Sequence, residues 1–131
     1  MIIVPFGTSG AAALGQRFDC VVCNFSLIGD RSTRQLFAAV PARLNPGGHF
    51  IVQTLHPTAQ RDSERESDGW REGSWQGFSA AFRNPPPWYC RTQTSWIALF
   101  ESNGFARPRI EEPALPTTGQ PASQLFIARL A

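Results

Sequence analysis

Two histidines, three cysteines and two polar strand ends are the groups in this chain with chemistry to offer. His56 follows the apolar run Phe50-Ile51-Val52-Gln53-Thr54-Leu55 and precedes Pro57. An imidazole titrates near neutral pH, so a histidine leaving a strand is a candidate general base. A histidine bonding a neighbouring loop is the plainer alternative. His49, at the other end of the same run, reads as structural. Asn24 and Ser26 follow Cys20-Val21-Val22-Cys23, where apolar character stops abruptly. Polar residues at a strand's carboxyl end contact ligand or cap the loop. Ser26 is not an esterase-type nucleophile, because no Gly-x-Ser-x-Gly surrounds it. Cys20 and Cys23 have the Cys-x-x-Cys spacing of zinc and redox sites. On a strand, however, residues three apart face opposite sides. Cys90 has no His or Cys neighbour. Buried core cysteines are therefore expected, and no metal site.

The elements that must position these groups lie between Phe18 and Pro57. Two apolar runs of strand length bracket one helical segment that extends to Leu44. A run without polar alternation suits a strand buried on both faces, as in parallel α/β sheets. A strand–helix–strand unit crosses over right-handed, so both strands point the same way. Their carboxyl ends are Asn24-Phe25-Ser26 and Thr54-Leu55-His56, and ligands bind beyond such ends in open α/β sheets. Asp30 or Ser32 can cap the helix, and Leu36, Phe37, Val40 and Leu44 form its apolar stripe. Pro41 predicts a kink near Phe37–Pro41. Asn45-Pro46-Gly47-Gly48 reads as a turn.

The rest of the chain frames this unit. With 131 residues it is one domain. The net charge of +2 comes from scattered arginines, so no basic face for nucleic acid is expected. No apolar run approaches the roughly 20 residues of a membrane span, and Met1-Ile2-Ile3-Val4 is too short for a signal-peptide core. Unpaired cysteines imply a reduced, cytoplasmic location. Residues 1–17 read as a lead-in, and Gly7, Gly10 and Gly15 do not match a dinucleotide-binding fingerprint. Residues 58–90 form an aromatic-rich insert containing Trp70, Trp75, Phe78, Phe82 and Trp88. It is a flap over the carboxyl edge of the sheet or a partner surface. Trp70 with Arg71, and Trp88 with Tyr89 and Arg91, form a pocket lid or simply pack. Thr92 or Thr94 can cap a helix carrying Trp96, Ile97, Leu99 and Phe100, which Asn103-Gly104 ends. Strands are expected over 106–112 and 123–130.

With these segments in order, the chain resembles the class I S-adenosylmethionine-dependent methyltransferases. Phe18-Asp19-Cys20-Val21-Val22-Cys23-Asn24-Phe25-Ser26-Leu27 looks like that family's fourth strand and following loop. Leu44-Asn45-Pro46-Gly47-Gly48-His49-Phe50 looks like its turn into the fifth. Asp68-Gly69-Trp70-Arg71, Trp88-Tyr89-Cys90-Arg91-Thr92 and Ser95-Trp96 are similar to one subgroup's insert and next helix. Asn103-Gly104-Phe105 and Glu111-Glu112-Pro113 fit the closing helix and strand. The resemblance covers residues 18–131, as a carboxyl-terminal half. The family's glycine-rich loop and the acid that holds the cofactor ribose have no counterpart.

The fold that this implies is α/β: a partial Rossmann-like sheet of four strands, a parallel pair plus an antiparallel pair, with flanking helices. The implied activity is methyl transfer from S-adenosylmethionine to a small-molecule acceptor. By resemblance, Asn24, Phe25 and Ser26 border the cofactor. His56 is the base, and Trp70, Arg71, Trp88, Tyr89 and Arg91 border the substrate. The alternative is a non-catalytic, self-associating remnant or binding module. Without the family's first strand, Phe18–Phe25 would be an exposed apolar edge. The expectation is therefore a homodimer, or association with a missing amino-terminal half, through the 18–25 strand edge.

Overall fold

A computed structural model of the chain describes residues 2–3, 17–56, 68–71, 87–117 and 119–131. In chain order the elements are β1 (Ile2–Ile3), β2 (Phe18–Asn24), α1 (Arg31–Ala39), a 3-10 turn (Val40–Arg43), β3 (Leu44–Leu55), β4 (Gly69–Arg71), β5 (Trp88–Cys90), α2 (Gln93–Ser102), β6 (Arg109–Glu111) and β7 (Ser123–Arg129). The main sheet has the order β1-β2-β3-β7-β6. β2 and β3 are parallel, with Val21 opposite Phe50 and Cys23 opposite Val52. β7 runs antiparallel to both β3 and β6. The four expected strands are present, and Ile2–Ile3 adds a short fifth, parallel to β2 at Val21 and Val22. The lead-in thus supplies a strand, which among the described residues meets the outer edge of β2 at two positions. β4 and β5 form a separate two-stranded ribbon.

Alternation along the strands sends one set of side chains to a single core. Val21 and Cys23 of β2, Phe50 and Val52 of β3, and Phe126 and Ala128 of β7 are all buried there. They meet Leu36, Phe37 and Val40 from the first helical segment and Trp96, Leu99 and Phe100 from α2. Aromatic rings bind the layers together. Phe37 lies 4.9 Å from Phe50 and 4.8 Å from Phe100, and Trp96 lies 5.7 Å from Phe126, between ring centroids. Such offset and edge contacts add about 0.5–1.5 kcal/mol per pair beyond the area they bury. On the other face the register aligns Val22, Ile51 and Ile127, which are half-buried.

Pro41 ends the α-helix rather than kinking it, and Leu44, expected on the helix, opens β3. Proline lacks the amide hydrogen for an α-helical bond, so α1 stops at Ala39 and the chain tightens into the 3-10 turn. Two further expectations are corrected. Asn45–Gly48 is not a free turn: β3 already begins at Leu44, and the pairing jumps from Phe18–Leu44 to Cys20–His49. Four residues therefore bulge opposite one, with Gly47 at a φ of +75° that favours glycine. The strand expected over 106–112 is shorter, Arg109–Glu111, because Arg107-Pro108 precedes it and proline cannot donate to a ladder.

Candidate functional site at the carboxyl edge of the sheet

β2 ends at Asn24, and the next residue turns sharply. Phe25 adopts φ +53°, the left-handed region that non-glycine residues avoid. Its amide donates to the Gln53 carbonyl at 2.9 Å, so β3 holds the turn in place. Strain of this kind persists where surrounding structure enforces it, and it clusters at binding sites. The Phe25 ring is 49% exposed. Ile28 (38%), Leu55 (43%) and Trp70 (57%) are also exposed, and all four lie on segments at this edge of the sheet. Asn24 is exposed as well. The Ser26 hydroxyl is buried and has no hydrogen-bond partner among the described residues. An orphaned buried hydroxyl costs free energy that a polar ligand atom would recover.

The ribbon β4–β5 is bolted to the loop that follows β2. The Tyr89 amide donates to the Ile28 carbonyl at 2.8 Å. Arg91 donates to the Gly29 carbonyl at 3.4 Å and to the Asp30 carboxylate at 2.6 Å. Asp30 does occupy the N-cap position of α1, but its side chain makes no capping bond; it serves Arg91 and Arg34 instead. Burial lowers the Arg91 pKa from its ordinary value, and the Asp30 charge opposes that shift. The guanidinium also lies 4.7 Å from the Tyr89 ring centre and 5.1 Å from that of Trp96. Trp70 meets Tyr89 edge-on at 5.5 Å. Asp68 accepts from the Thr92 amide at 2.9 Å and from the Ser95 hydroxyl at 2.6 Å, while Thr92 caps α2 by accepting from the Ser95 amide. The base of the insert is thereby fixed to both helix N-termini.

His56 leaves β3 buried, with its amide donating to the Ala122 carbonyl at 3.1 Å. Its Nε2 is hydrogen-bonded to Glu112 Oε2. Gln93 Nε2 donates to Glu112 Oε2 at 3.3 Å and to Gln124 Oε1 at 3.0 Å, and Gln124 Nε2 donates to the Leu55 carbonyl at 3.2 Å. β3, α2, β7 and the segment after β6 thus meet in one polar network.

The structure therefore brings Asn24, Phe25, Ser26 and His56 to one edge of the sheet. Trp70 lies on the ribbon, exposed, with Tyr89 and Trp88 half-buried beside it. Arg71 lies in β4, its side chain outside the described residues, as are Trp75, Phe78 and Phe82. Arg91 is turned inward, its donors committed within the protein. Sequence reasoning missed Glu112, Gln93 and Gln124. One signal was available: Gln124 shares the strand parity of Phe126 and Ala128, so it is a polar residue in a core-facing position. Cys20 pairs opposite exposed His49 and Cys23 opposite buried Val52, so the two cysteines face opposite sides. Among the described residues no helix is long and apolar enough to cross a membrane.

A mixed sheet with a parallel pair, and with both helices on one face, defines a fold that can be compared. The chain matches a Listeria monocytogenes structure assigned to the S-adenosylmethionine-dependent methyltransferases, with a TM-score of 0.67 and 19% identity. That match covers 100% of this chain and 65% of the other. The chain carries part of the S-adenosylmethionine-dependent methyltransferase fold.

A methyltransferase of the same kind from Mesorhizobium loti matches at TM-score 0.60 and 21% identity, over 91% of this chain and 66% of that one. The glycopeptide N-methyltransferase MtfA in complex with S-adenosyl-L-methionine matches at 0.64 and 19%, over 92% and 57%. The chain thus spans 57–66% of the length of these methyltransferase structures. No protein-family model matches the chain, and no curated protein matches it.

Proposed function

We propose that the chain is the substrate-side part of an S-adenosylmethionine-dependent methyltransferase acting on a small molecule. The observation that carries this reading is the turn Asn24-Phe25-Ser26. It combines an enforced left-handed residue, an exposed ring and a buried hydroxyl at the carboxyl edge of a methyltransferase-type sheet. These groups fit a nucleoside-bearing ligand: the Phe25 ring offers a stacking surface, and the Ser26 hydroxyl and Asn24 amide offer hydrogen bonds.

When bound, S-adenosylmethionine supplies a methyl group carried on a sulfonium sulfur. The chain's own residues hold and orient the reactants, which is most of what such a displacement needs. In this reading His56, at the carboxyl end of β3, takes the acceptor's proton. Trp70 and Tyr89 on the ribbon, with Trp88 and Arg71, border the acceptor. Arg91 contributes by fixing the ribbon to the Ile28–Asp30 loop.

Calorimetric titration of the full chain with S-adenosylhomocysteine tests this reading, with the mass followed by light scattering. Micromolar binding supports it. No heat at millimolar ligand sinks it for this chain alone. The mass also bears on a second reading, a self-associating binding module, which the outer edge of β2, paired at two positions among the described residues, favours. A dimer without ligand binding would support that module instead.

A further inference from the structure

We propose that Arg91 is a positioning residue for the turn at Phe25: it clamps the loop that follows the turn, so that the ribbon and the turn hold or open together. The inference rests on the methyl-transfer reading and deepens it, because the groups bordering the cofactor and those bordering the acceptor become one unit.

Residues 25–30 join β2 to α1 without a helix or strand of their own. Their backbone is held at two ends. At the first, the Phe25 amide donates to the Gln53 carbonyl at 2.9 Å. At the second, three consecutive carbonyls are taken by β5 and the residue after it. Ile28 accepts from the Tyr89 amide at 2.8 Å, Gly29 from Arg91 Nη1 at 3.4 Å and Asp30 from Arg91 Nη2 at 3.3 Å. The same Nη2 reaches the Asp30 carboxylate at 2.6 Å. A guanidinium presents its donors in a rigid planar fork, so it fixes adjacent carbonyls in a way that a lysine ammonium does not. The fork is itself held, 4.7 Å from the Tyr89 ring centre and 5.1 Å from that of Trp96.

The turn needs both ends. A left-handed residue other than glycine persists only where its surroundings over-determine it, and Phe25 stands at φ +53°. With both ends clamped, the strain has nowhere to relax. With the Arg91 end released, Phe25 rotates back toward negative φ, the loop shifts, and its amide withdraws from Gln53. Arg91 therefore acts on the turn from five residues beyond it, through Ile28, Gly29 and Asp30. Coupling of this kind is reciprocal. A ligand that steadies the turn steadies the ribbon by the same free energy, so cofactor at Phe25 and acceptor at Trp70 and Tyr89 favour each other's binding.

Native-state hydrogen exchange of the full chain tests this without any ligand. Arg91→Lys keeps the charge opposite Asp30 and loses the fork. The Tyr89 and Phe25 amides are expected to exchange about tenfold faster, equivalent to about 1.4 kcal/mol, and by similar factors. The Val52 amide, in the middle of β3, should change less. In Phe25→Gly the left-handed turn carries no strain, so adding Arg91→Lys there should speed exchange at residue 25 by a clearly smaller factor. Faster exchange at Tyr89 with Phe25 unchanged overturns the proposal, because the ribbon then opens alone. So does equal acceleration at Phe25, Tyr89 and Val52, which is a loss of stability by the whole fold. So does no acceleration at either amide, or an effect at residue 25 that is the same with phenylalanine and glycine there. Asp30→Asn loosens the same joint more gently and is judged by the same outcomes if Arg91→Lys does not fold. Failure of S-adenosylhomocysteine to bind would remove the methyl-transfer reading and leave these exchange rates unaffected, so the two ideas fail separately.

Discussion

Arg91 and Asp30, 61 residues apart in sequence, are joined at 2.6 Å, and the arginine side chain is only 1% exposed. The pair fixes the ribbon β4–β5 against the loop that leaves β2. Breaking a buried pair by removing one partner costs about 3–5 kcal/mol, because a charge is left uncompensated. Asp30 keeps 34% exposure, so water recovers part of that loss. Asp30→Ala should therefore destabilise the chain by about 2–3 kcal/mol in urea unfolding. Arg91→Met removes the buried cation itself and should cost less. Equal losses in the two variants would show that the guanidinium is already solvated.

Phe25 exposes a ring while its backbone is held in the left-handed region. For a non-glycine residue that conformation costs about 1–2 kcal/mol, and glycine's extra chain entropy takes back about 0.5–1. Phe25→Gly should leave stability unchanged or raise it by up to about 1 kcal/mol. Removing an aromatic ring from a stacked base typically costs about 1–3 kcal/mol of binding, so S-adenosylhomocysteine affinity should fall about fivefold or more. A variant that loses both stability and affinity would mean that the ring packs structurally.

These two positions show what the sequence could and could not reveal. The βαβ unit was legible because apolar runs, caps and Pro41 act locally, within one helical turn or one strand. The strand ends followed from the same reasoning, since a parallel crossover dictates which ends face ligand. Arg91 was different. Its type and its aromatic neighbours suggest a ligand contact, and only the distant Asp30 turns it inward. Glu112 was invisible for the same reason: its partners His56 and Gln93 lie 56 and 19 residues away. Pairings over such separations leave no periodic trace. The pairing of Ile2–Ile3 with β2 likewise depends on register between segments rather than on either segment alone.

The bulge after the 3-10 turn carries a steric prediction. A Cβ on Gly48 would stand 2.9 Å from the Asn45 carbonyl oxygen and 3.1 Å from that of Asp19. Both are backbone atoms that cannot swing aside. Overpacking of this kind costs about 1–3 kcal/mol, so Gly48→Ala should lower the urea midpoint by an amount in that range. The Phe18–Cys20 register shift lies beside it, so backbone amide shifts of residues 18–20 should move as well. A neutral variant would show that the bulge can slide.

The last prediction concerns alkali. Cys23 lies in the core on the helix side of β2, and burial pushes its thiol from 9.0 up to about 11. Burial dominates, and the Ser26 hydroxyl beside the thiol opposes it by favouring the thiolate. A raised folded pKa means that the folded chain keeps a proton which the unfolded chain has released. The stability this supplies is complete below pH 9 and is lost as pH rises to about 11. Two pH units of difference correspond to roughly 3 kcal/mol at about 1.4 kcal/mol each. Unfolding free energy should therefore fall by roughly that amount across the window. Cys23→Ala should lower the stability at neutral pH by about 1 kcal/mol or more through the lost core volume. Its alkaline slope should nevertheless be shallower than that of the wild type. Parallel slopes in the two proteins would assign the alkaline loss to groups other than Cys23.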